Sequence, residues 1–389
     1  MKLAARVVMK ALERLSVGRL QLRLPDGSVL AYGAEPQPFA ELAVRDWRFF
    51  RRVLLDGDIG FAEAYMDGQC DSPDLPALIA LLASNEQALG AVARSSLLRD
   101  LVLKLRHRWR HNSRRGSQRN IHAHYDLGND FYRLWLDPSM TYSSALYDGD
   151  AERPLRAAQA AKYDRVLERL GARQGDSVLE IGCGWGGFAE VAARRGLRVT
   201  AATISRQQLE FAQQRLARAG LADRVDLQFR DYRDLKGRYD HVVSIEMVEA
   251  VGERYWPDYF AAIKRHLAPG GSALVQAIVI ADQMFAPYRR RPDFIQTYVF
   301  PGGMLLSPAI LREQCRRAGL RIAELYGFGL DYGRTLQEWL ARFDRAAAEV
   351  ASLGFDHRLR RLWRYYLAYC AAGFMTQRTD VLQAHLRPI

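Results

Sequence analysis

One short stretch, Val178-Leu179-Glu180-Ile181-Gly182-Cys183-Gly184-Trp185-Gly186-Gly187, constrains this chain more than any other: an apolar run breaks into glycines at the spacing at which a strand hands over to a helix beneath a ligand. Gly182, Gly184 and Gly186 let the backbone take positive φ and approach a bound group more closely than any Cβ allows. Glu180 adds a carboxylate at the carboxyl end of the strand. The spacing is G-x-G-x-G-G where the dinucleotide fingerprint requires G-x-G-x-x-G, and the helix that follows has no lysine and no Ser/Thr placed for magnesium. Phosphate cradling is therefore disfavoured, and a ligand with a ribose, an adenine and a charged amino-acid tail fits better.

Around that stretch, strands and helices alternate: Ser177 to Ile181, a helix to about Arg195, Arg198 to Thr203, a helix from Arg206, then Val225 to Phe229 and His241 to Glu246. The βαβ repetition predicts an α/β fold, a Rossmann-like parallel sheet with helices on both faces, continued by Ser272 to Ile280 after the Pro269-Gly270-Gly271 turn. Leu336 to His385 reads as two long helices joined near Gly354. Ahead of the sheet, residues 2–15 carry Leu3, Val7, Val8, Leu12 and Leu15 at helical spacing with Lys2, Arg6, Lys10 and Arg14 between them, a basic amphipathic helix that docks on lipid or packs on its own domain. Leu20 to Ala31 alternates about the turn Pro25-Asp26-Gly27 and predicts a hairpin, and helical patterns follow over 40–55 and 75–110. The expected division is a smaller α+β domain over 1–110 and a catalytic domain over 111–389.

No run reaches the roughly eighteen apolar residues that a membrane span needs, and the N-terminus lacks the apolar core of a signal peptide, so a cytoplasmic protein is expected. Cys70, Cys183, Cys315 and Cys370 form no C-x-x-C pair, so neither a zinc site nor a disulfide framework is indicated, and no metal is expected. The net charge of +12 points to a polyanionic partner, nucleic acid or an anionic lipid surface. Lys104, Arg106, Arg108, Arg110, Arg114, Arg115 and Arg119 interleave with Leu103, Leu105 and Trp109 in a segment without acidic residues, either a basic amphipathic element or a solvated linker. Tyr288-Arg289-Arg290-Arg291-Pro292, in an expected irregular stretch with Met284, Phe285 and Phe294, suits a membrane interface. No RNA-binding signature is present, and no nucleic-acid partner is expected.

In an open α/β sheet the ligand lies beyond the carboxyl ends of the strands. The first end supplies Glu180 and the glycines. The second supplies Thr203, Ser205 and Gln208, where a ribose would lie. The third supplies Asp231 and Tyr232, with the carboxylate placed for an adenine amino group. The fourth, Ser244-Ile245-Glu246-Met247-Val248-Glu249, puts carboxylates at the pocket edge. Each residue alone reads as a cap or a solvated loop group, and their coincidence at successive strand ends points to S-adenosyl-L-methionine as the cofactor of a Rossmann-like methyltransferase. His122 and His124 lack a matching pair elsewhere and read as part of a capped turn.

His124-Tyr125-Asp126-Leu127-Gly128-Asn129-Asp130-Phe131-Tyr132, Tyr142-Ser143, Glu180 through Gly187, Thr203 through Gln208 and Phe300-Pro301-Gly302-Gly303 occur in the order found in the cyclopropane-fatty-acyl-phospholipid synthases and the mycolic acid cyclopropane synthases. The chain resembles that family over nearly its full length. Phe61-Ala62-Glu63-Ala64-Tyr65-Met66-Asp67-Gly68 is similar to the small lipid-handling domain of its longer members. The resemblance implies transfer of the S-adenosylmethionine methyl group to a cis double bond of a phospholipid acyl chain, then proton loss and ring closure. It implies cofactor contacts at Tyr142, Ser143 and Trp185, a bicarbonate base held by Glu249, Tyr332 and the backbone at Ile278, and a residue near the active site at Cys370, which is also a small buried hydrophobe. It also implies an unsaturated phospholipid partner in an anionic membrane, peripheral association with the inner membrane face, and is compatible with a homodimer.

Three positions depart from the family pattern: Ser144 replaces a cysteine, Ala250 a histidine after the catalytic glutamate, and Gln276 a histidine one strand later. Serine and glutamine still hydrogen-bond an anion, but glutamine neither titrates nor supplies positive charge. A methyl-branched or methylene product, a soluble natural-product acceptor, and a lipid-binding protein without activity remain the alternative readings.

Overall fold

The structure, a computed structural model, describes residues 2–90 and 127–389; the basic segment between Leu101 and Asn120, and His122, His124, Tyr125 and Asp126, lie outside the described residues. The described residues divide into two compact units, one made of 2–90, 290–299 and 336–378, the other of 127–289, 300–335 and 379–389. No described helix is long and apolar enough to cross a membrane.

In the first unit the basic helix spans Lys2–Leu12 and buries Ala5, Val8, Ala11 and Leu12, while Leu3, Arg6, Val7 and Lys10 are exposed. The turn at Pro25-Asp26-Gly27 joins β1 (Arg19–Arg23) to an antiparallel β2 (Val29–Tyr32), with the Asp26 carboxylate accepting the Ser28 amide at 3.0 Å. The helix expected over 40–55 is replaced by β3 (Phe39–Val44), parallel to β1, and a helix that begins only at Arg48 and runs to Met66. Ala40, Leu42 and Val44 are buried and the residues between them are not, a period of two that the short segment hid. With β4 (Cys70–Asp71) the sheet order is β2-β1-β3-β4. Helix Leu75–Ser84 packs against helix His357–Met375. Asn85 ties the ends of this unit's early elements, accepting the amides of Ser16 and Val17 at 2.9 and 3.1 Å.

The second unit is built on β5 (Ser177–Ile181), β6 (Arg198–Thr203), β7 (Val225–Phe229), β8 (Tyr239–Ile245), β9 (Leu267–Ile280), β10 (Leu320–Gly327) and β11 (Thr379–Pro388), in the order β10-β11-β9-β8-β5-β6-β7. Strands β5 to β9 pair in parallel, and β11 runs antiparallel to both β9 and β10. This is the expected Rossmann-like sheet. The C-terminal reading is corrected in one respect: after helices Gly329–Arg345, Ala347–Ser352 and His357–Met375, the chain returns to the sheet as β11. A strand covered on both faces shows no polar alternation, so its apolar run resembles a buried helix. Likewise Tyr288, Arg289 and Arg290 end a helix, Asp282–Arg290, where an irregular stretch was expected.

The central parallel strands feed two cores. Leu179, Ile181 and Val242 join Phe260 and Ile263 on one face, while Val178, Val243 and Leu274 join Val166, Leu167 and Phe188 on the other. Chain order reverses about β5, which lies between β6 and β8. Such a switch point opens a crevice outside the carboxyl ends of the strands. Phe260 is fully buried, so Phe260→Ala should cost about 3–5 kcal/mol, read as a lower urea midpoint; a cost below about 1 kcal/mol would mean this face is not close-packed.

Candidate active site

At the carboxyl end of β5 the chain turns through Gly182, Gly184 and Gly186 with φ of 84°, 51° and 79°. Gly182 is closed in, since a Cβ there would come within 2.7 Å of Met247, whereas a Cβ on Gly184 would meet nothing within 4 Å and face open space. Glu180 lies on the β5 face that carries Val178, is 3% exposed, and leaves Oε2 without a hydrogen-bond partner. Burial pushes its carboxyl up to about 8, against the pull of Arg215 and Lys162. An orphaned buried carboxylate beside a glycine cradle with open space fits a ligand bearing hydrogen-bond donors and requiring close backbone approach, as the amino-acid tail and ribose of S-adenosylmethionine do. Trp185 stands on the cradle with its ring 5.1 Å from Tyr132 and its indole N–H on Asn129 Oδ1 at 2.7 Å. Tyr142 packs against Tyr132 and Trp135 at 5.7 and 5.5 Å.

Beyond β6, Thr203, Ser205 and Gln208 are buried and bonded to one another: Thr203 Oγ1 donates to Gln208 Oε1 at 3.0 Å, and Ser205 caps the helix Arg206–Arg218. Asp231 is held by Arg233 through Nε and Nη2 at 2.8 and 2.7 Å, and the neighbouring Tyr232 hydroxyl is buried without a partner.

The carboxyl end of β8 carries the chemistry. Glu246, at φ 50°, accepts the Ser144 amide at 2.9 Å and the Gln276 side-chain amide at 2.7 Å on Oε1, and the Tyr332 hydroxyl at 2.7 Å on Oε2. Glu249 Oε1 accepts the Ile278 amide at 2.5 Å, while its Oε2 is buried without a partner. Burial and the charge of Glu246 push Glu249 up to about 8. Burial also raises Glu246, opposed by the charge of Lys162 and by its three donors. Lys162 is 0% exposed; its ammonium donates to Ser143 Oγ at 2.5 Å and to Gln159 Oε1 at 2.7 Å, and burial pulls it down to about 7 against Glu246, Asp137 and Glu180.

Ser144, Gln276 and Tyr332 thus meet at Glu246, and Ile278 meets Glu249, at the ends of β8 and β9. Cys370 lies in the first unit, on helix His357–Met375, its thiol raised by burial and by the charge of Asp293. Glu246 appeared in the sequence only as an edge carboxylate, and Lys162 and Gln159 did not stand out. Their signal was available: both occupy the buried stripe of helix Leu155–Leu170, among Leu155, Ala158, Val166, Leu167 and Leu170, where a polar residue needs a reason.

The family model described as mycolic acid cyclopropane synthetase matches residues 112–384. The chain is 40% identical to tuberculostearic acid methyltransferase UfaA1 of Mycobacterium tuberculosis, over 98% of this chain and 91% of that protein. It is 36% identical to cyclopropane-fatty-acyl-phospholipid synthase of Escherichia coli, over 88% and 87%. Among solved structures, mycolic acid cyclopropane synthase CmaA1 complexed with SAH and CTAB superposes with a TM-score of 0.64 at 28% identity, covering 69% of this chain and 97% of that one.

Two outcomes follow from the geometry. Gly184→Val forces a β-branched residue into left-handed backbone and into the open space of the cradle, so calorimetry should show S-adenosylhomocysteine affinity lower by at least about tenfold, the scale of 1.4 kcal/mol; unchanged affinity would place the ligand elsewhere. Glu249, with a folded value near 8 above the free 4.5, contributes stability that is full below 4.5 and is lost as pH rises through 8. The melting temperature should therefore fall from pH 5 to 9. Glu249→Gln should remove part of that fall, on the order of a few kcal/mol at pH 9; an identical pH profile in the variant would show that Glu249 titrates normally.

Proposed function

The chain belongs to the mycolic acid cyclopropane synthetase family and is an S-adenosylmethionine-dependent methyltransferase, and from that premise we propose that it methylates the cis double bond of an unsaturated phospholipid acyl chain and closes a cyclopropane ring with loss of a proton. The observation that carries this reading is the placement of a glycine cradle and a caged carboxylate at the adjacent carboxyl ends of β5 and β8.

S-adenosylmethionine, when bound, supplies an electrophilic methyl group, which the π pair of the alkene takes as the bond from carbon to sulfur breaks. Gly182, Gly184 and Gly186 let the backbone approach it, Glu180 and the pair Thr203 and Gln208 offer acceptors and donors, and Tyr142, Ser143 and Trp185 wall the site. Asp231, already oriented by Arg233, and Tyr232 would border the adenine end. An alkene is a weak nucleophile, so holding it in line matters, and the cation it becomes would be trapped by water. The rings of Tyr132, Trp135, Tyr142 and Trp185 supply an apolar wall against that loss.

A lipid surface as the place of work is supported by the net charge of +12 and by the helix Lys2–Leu12, which exposes Leu3 and Val7 beside Arg6 and Lys10. A second reading ends the same cation as a methylene or methyl-branched chain, and the 40% identity to a protein named tuberculostearic acid methyltransferase favours it. A saturated methyl branch would further need a reductant.

Mass spectrometry of fatty acids after incubation with S-adenosylmethionine and vesicles of unsaturated anionic phospholipid decides between them. The expected result is a mass gain of one CH₂ with loss of the double bond and a ring. A gain with the double bond kept or moved would install the second reading. Methylation of free natural products without any of lipid would overturn both.

A further inference from the structure

Glu246 has no freedom left. Its backbone sits in left-handed space at φ 50°, costly for a residue with a Cβ, and both carboxylate oxygens are claimed by donors from three separate elements. Those donors are themselves fixed. Gln276 Oε1 accepts the Gln383 amide at 3.0 Å, and Gln383 Oε1 in turn accepts Arg165 at 2.7 Å, so the NH₂ end of Gln276 has to face Glu246. Ser144 is placed by its neighbours: Lys162 holds Ser143 Oγ at 2.5 Å, Gln159 holds the Ser143 carbonyl at 2.9 Å, and the Ala145 amide donates to Thr335 Oγ1 at 3.1 Å. Burial raises the Glu246 carboxyl, while the fully buried lysine nearby and three hydrogen bonds that favour the charged form pull the other way. Glu249, with one amide and a negative neighbour, is the protonated member of the pair at neutral pH.

A bicarbonate was expected at Glu249, Tyr332 and the Ile278 backbone, with Ser144 and Gln276 at neighbouring positions of the family pattern, and the Glu246 carboxylate already takes the Tyr332 hydroxyl, the Ser144 main-chain amide and the Gln276 side-chain amide. A carboxylate offers the same two-oxygen face as bicarbonate. We propose that Glu246 is the base of the reaction, supplied by the chain itself, and that this enzyme needs no dissolved bicarbonate. In the step assigned to it, a C–H bond of the methyl carbon in the methylated lipid cation breaks, its electron pair forms the closing C–C bond of the ring, and the proton passes to a Glu246 oxygen. The cation and the carboxylate both become neutral, and the acid returns its proton to solvent after the product leaves. Beside it Glu249 accepts the Ile278 amide, and the field of the buried Lys162 favours the charged form of Glu246. This assignment rests on the lipid methylation proposed above.

The test compares bicarbonate-depleted, argon-sparged buffer with the same buffer plus bicarbonate, using the full chain, S-adenosylmethionine and unsaturated phospholipid vesicles, with S-adenosylhomocysteine binding as the check on folding. The wild type should turn over at the same rate in both buffers, within about twofold. Glu246→Gln, isosteric and still able to bind S-adenosylhomocysteine, should be slower by at least about 100-fold, the scale of a lost general base. Glu246→Gly fits the left-handed backbone and vacates the three donors, so bicarbonate should restore part of its activity. A wild type that loses activity on depletion, or a Glu246→Gln enzyme within tenfold of wild type, would overturn the assignment while leaving the lipid reading intact. A wild type that methylates no lipid in either buffer would overturn the lipid reading and the base with it.

Discussion

A lysine buried with carboxylates at the carboxyl edge of the sheet is the constraint on which the rest of the second unit depends. Lys162 is out of contact with water, and a lone ammonium there would be expensive enough to lose its proton or unfold its surroundings. Its cost is met by Ser143 Oγ, Gln159 Oε1 and the fields of Glu246, Asp137 and Glu180. Those partners come from helix Leu155–Leu170, from the segment 137–147 and from the ends of β5 and β8. Packing one cation therefore fixes four parts of the fold against each other. Glu246 holds a φ of 50° because three hydrogen bonds from separate segments fix its carboxylate.

The same arrangement answers what alkene methylation demands. The acceptor has no lone pair and no acidic proton, so nothing need activate it, and the protein's tasks reduce to alignment, dryness and one proton acceptor. Fixed dipoles around a caged anion cost no reorganisation when a cation appears next to them. Water would solvate the cage equally well but would also add to the cation. In the proposed reaction the cluster of aromatic rings would serve dryness and the caged carboxylate would serve as the proton acceptor.

The parallel sheet, its switch point and the glycine cradle were legible because each rests on local signals: period, glycine spacing and strand ends. Phe39–Val44 and Thr379–Pro388 were not. The first is short, and the second, covered on both sides, has lost its alternation. Nor can linear order reveal that 290–299 and 336–378 fold into a unit with the N-terminal residues, since the contacts that decide it are far apart in sequence. In the site, Tyr332, Gln276 and Ser144 were named from motif position alone. Glu246 was visible only as one carboxylate among several, because which of two neighbouring glutamates is caged depends on donors 30, 86 and 102 residues away. Gln159 and Lys162 were legible in principle, as polar residues on the apolar stripe of helix Leu155–Leu170, a segment whose periodicity was not read.

Anchoring the base changes what selects the product. A dissolved anion can settle wherever a cation draws it, so the C–H bond it meets is partly its own choice. A carboxylate pinned by three donors and a strained backbone cannot turn. The methyl hydrogens give a ring, and those of the adjacent chain carbons give a methylene or a shifted double bond, from the same cation. With the base immobile, the selection passes to the depth at which the acyl chain seats the double bond, a displacement of one carbon, about 1.3 Å along an extended chain, being enough to present a different hydrogen. Two enzymes with identical cages could thus differ in product through residues that touch only the lipid tail.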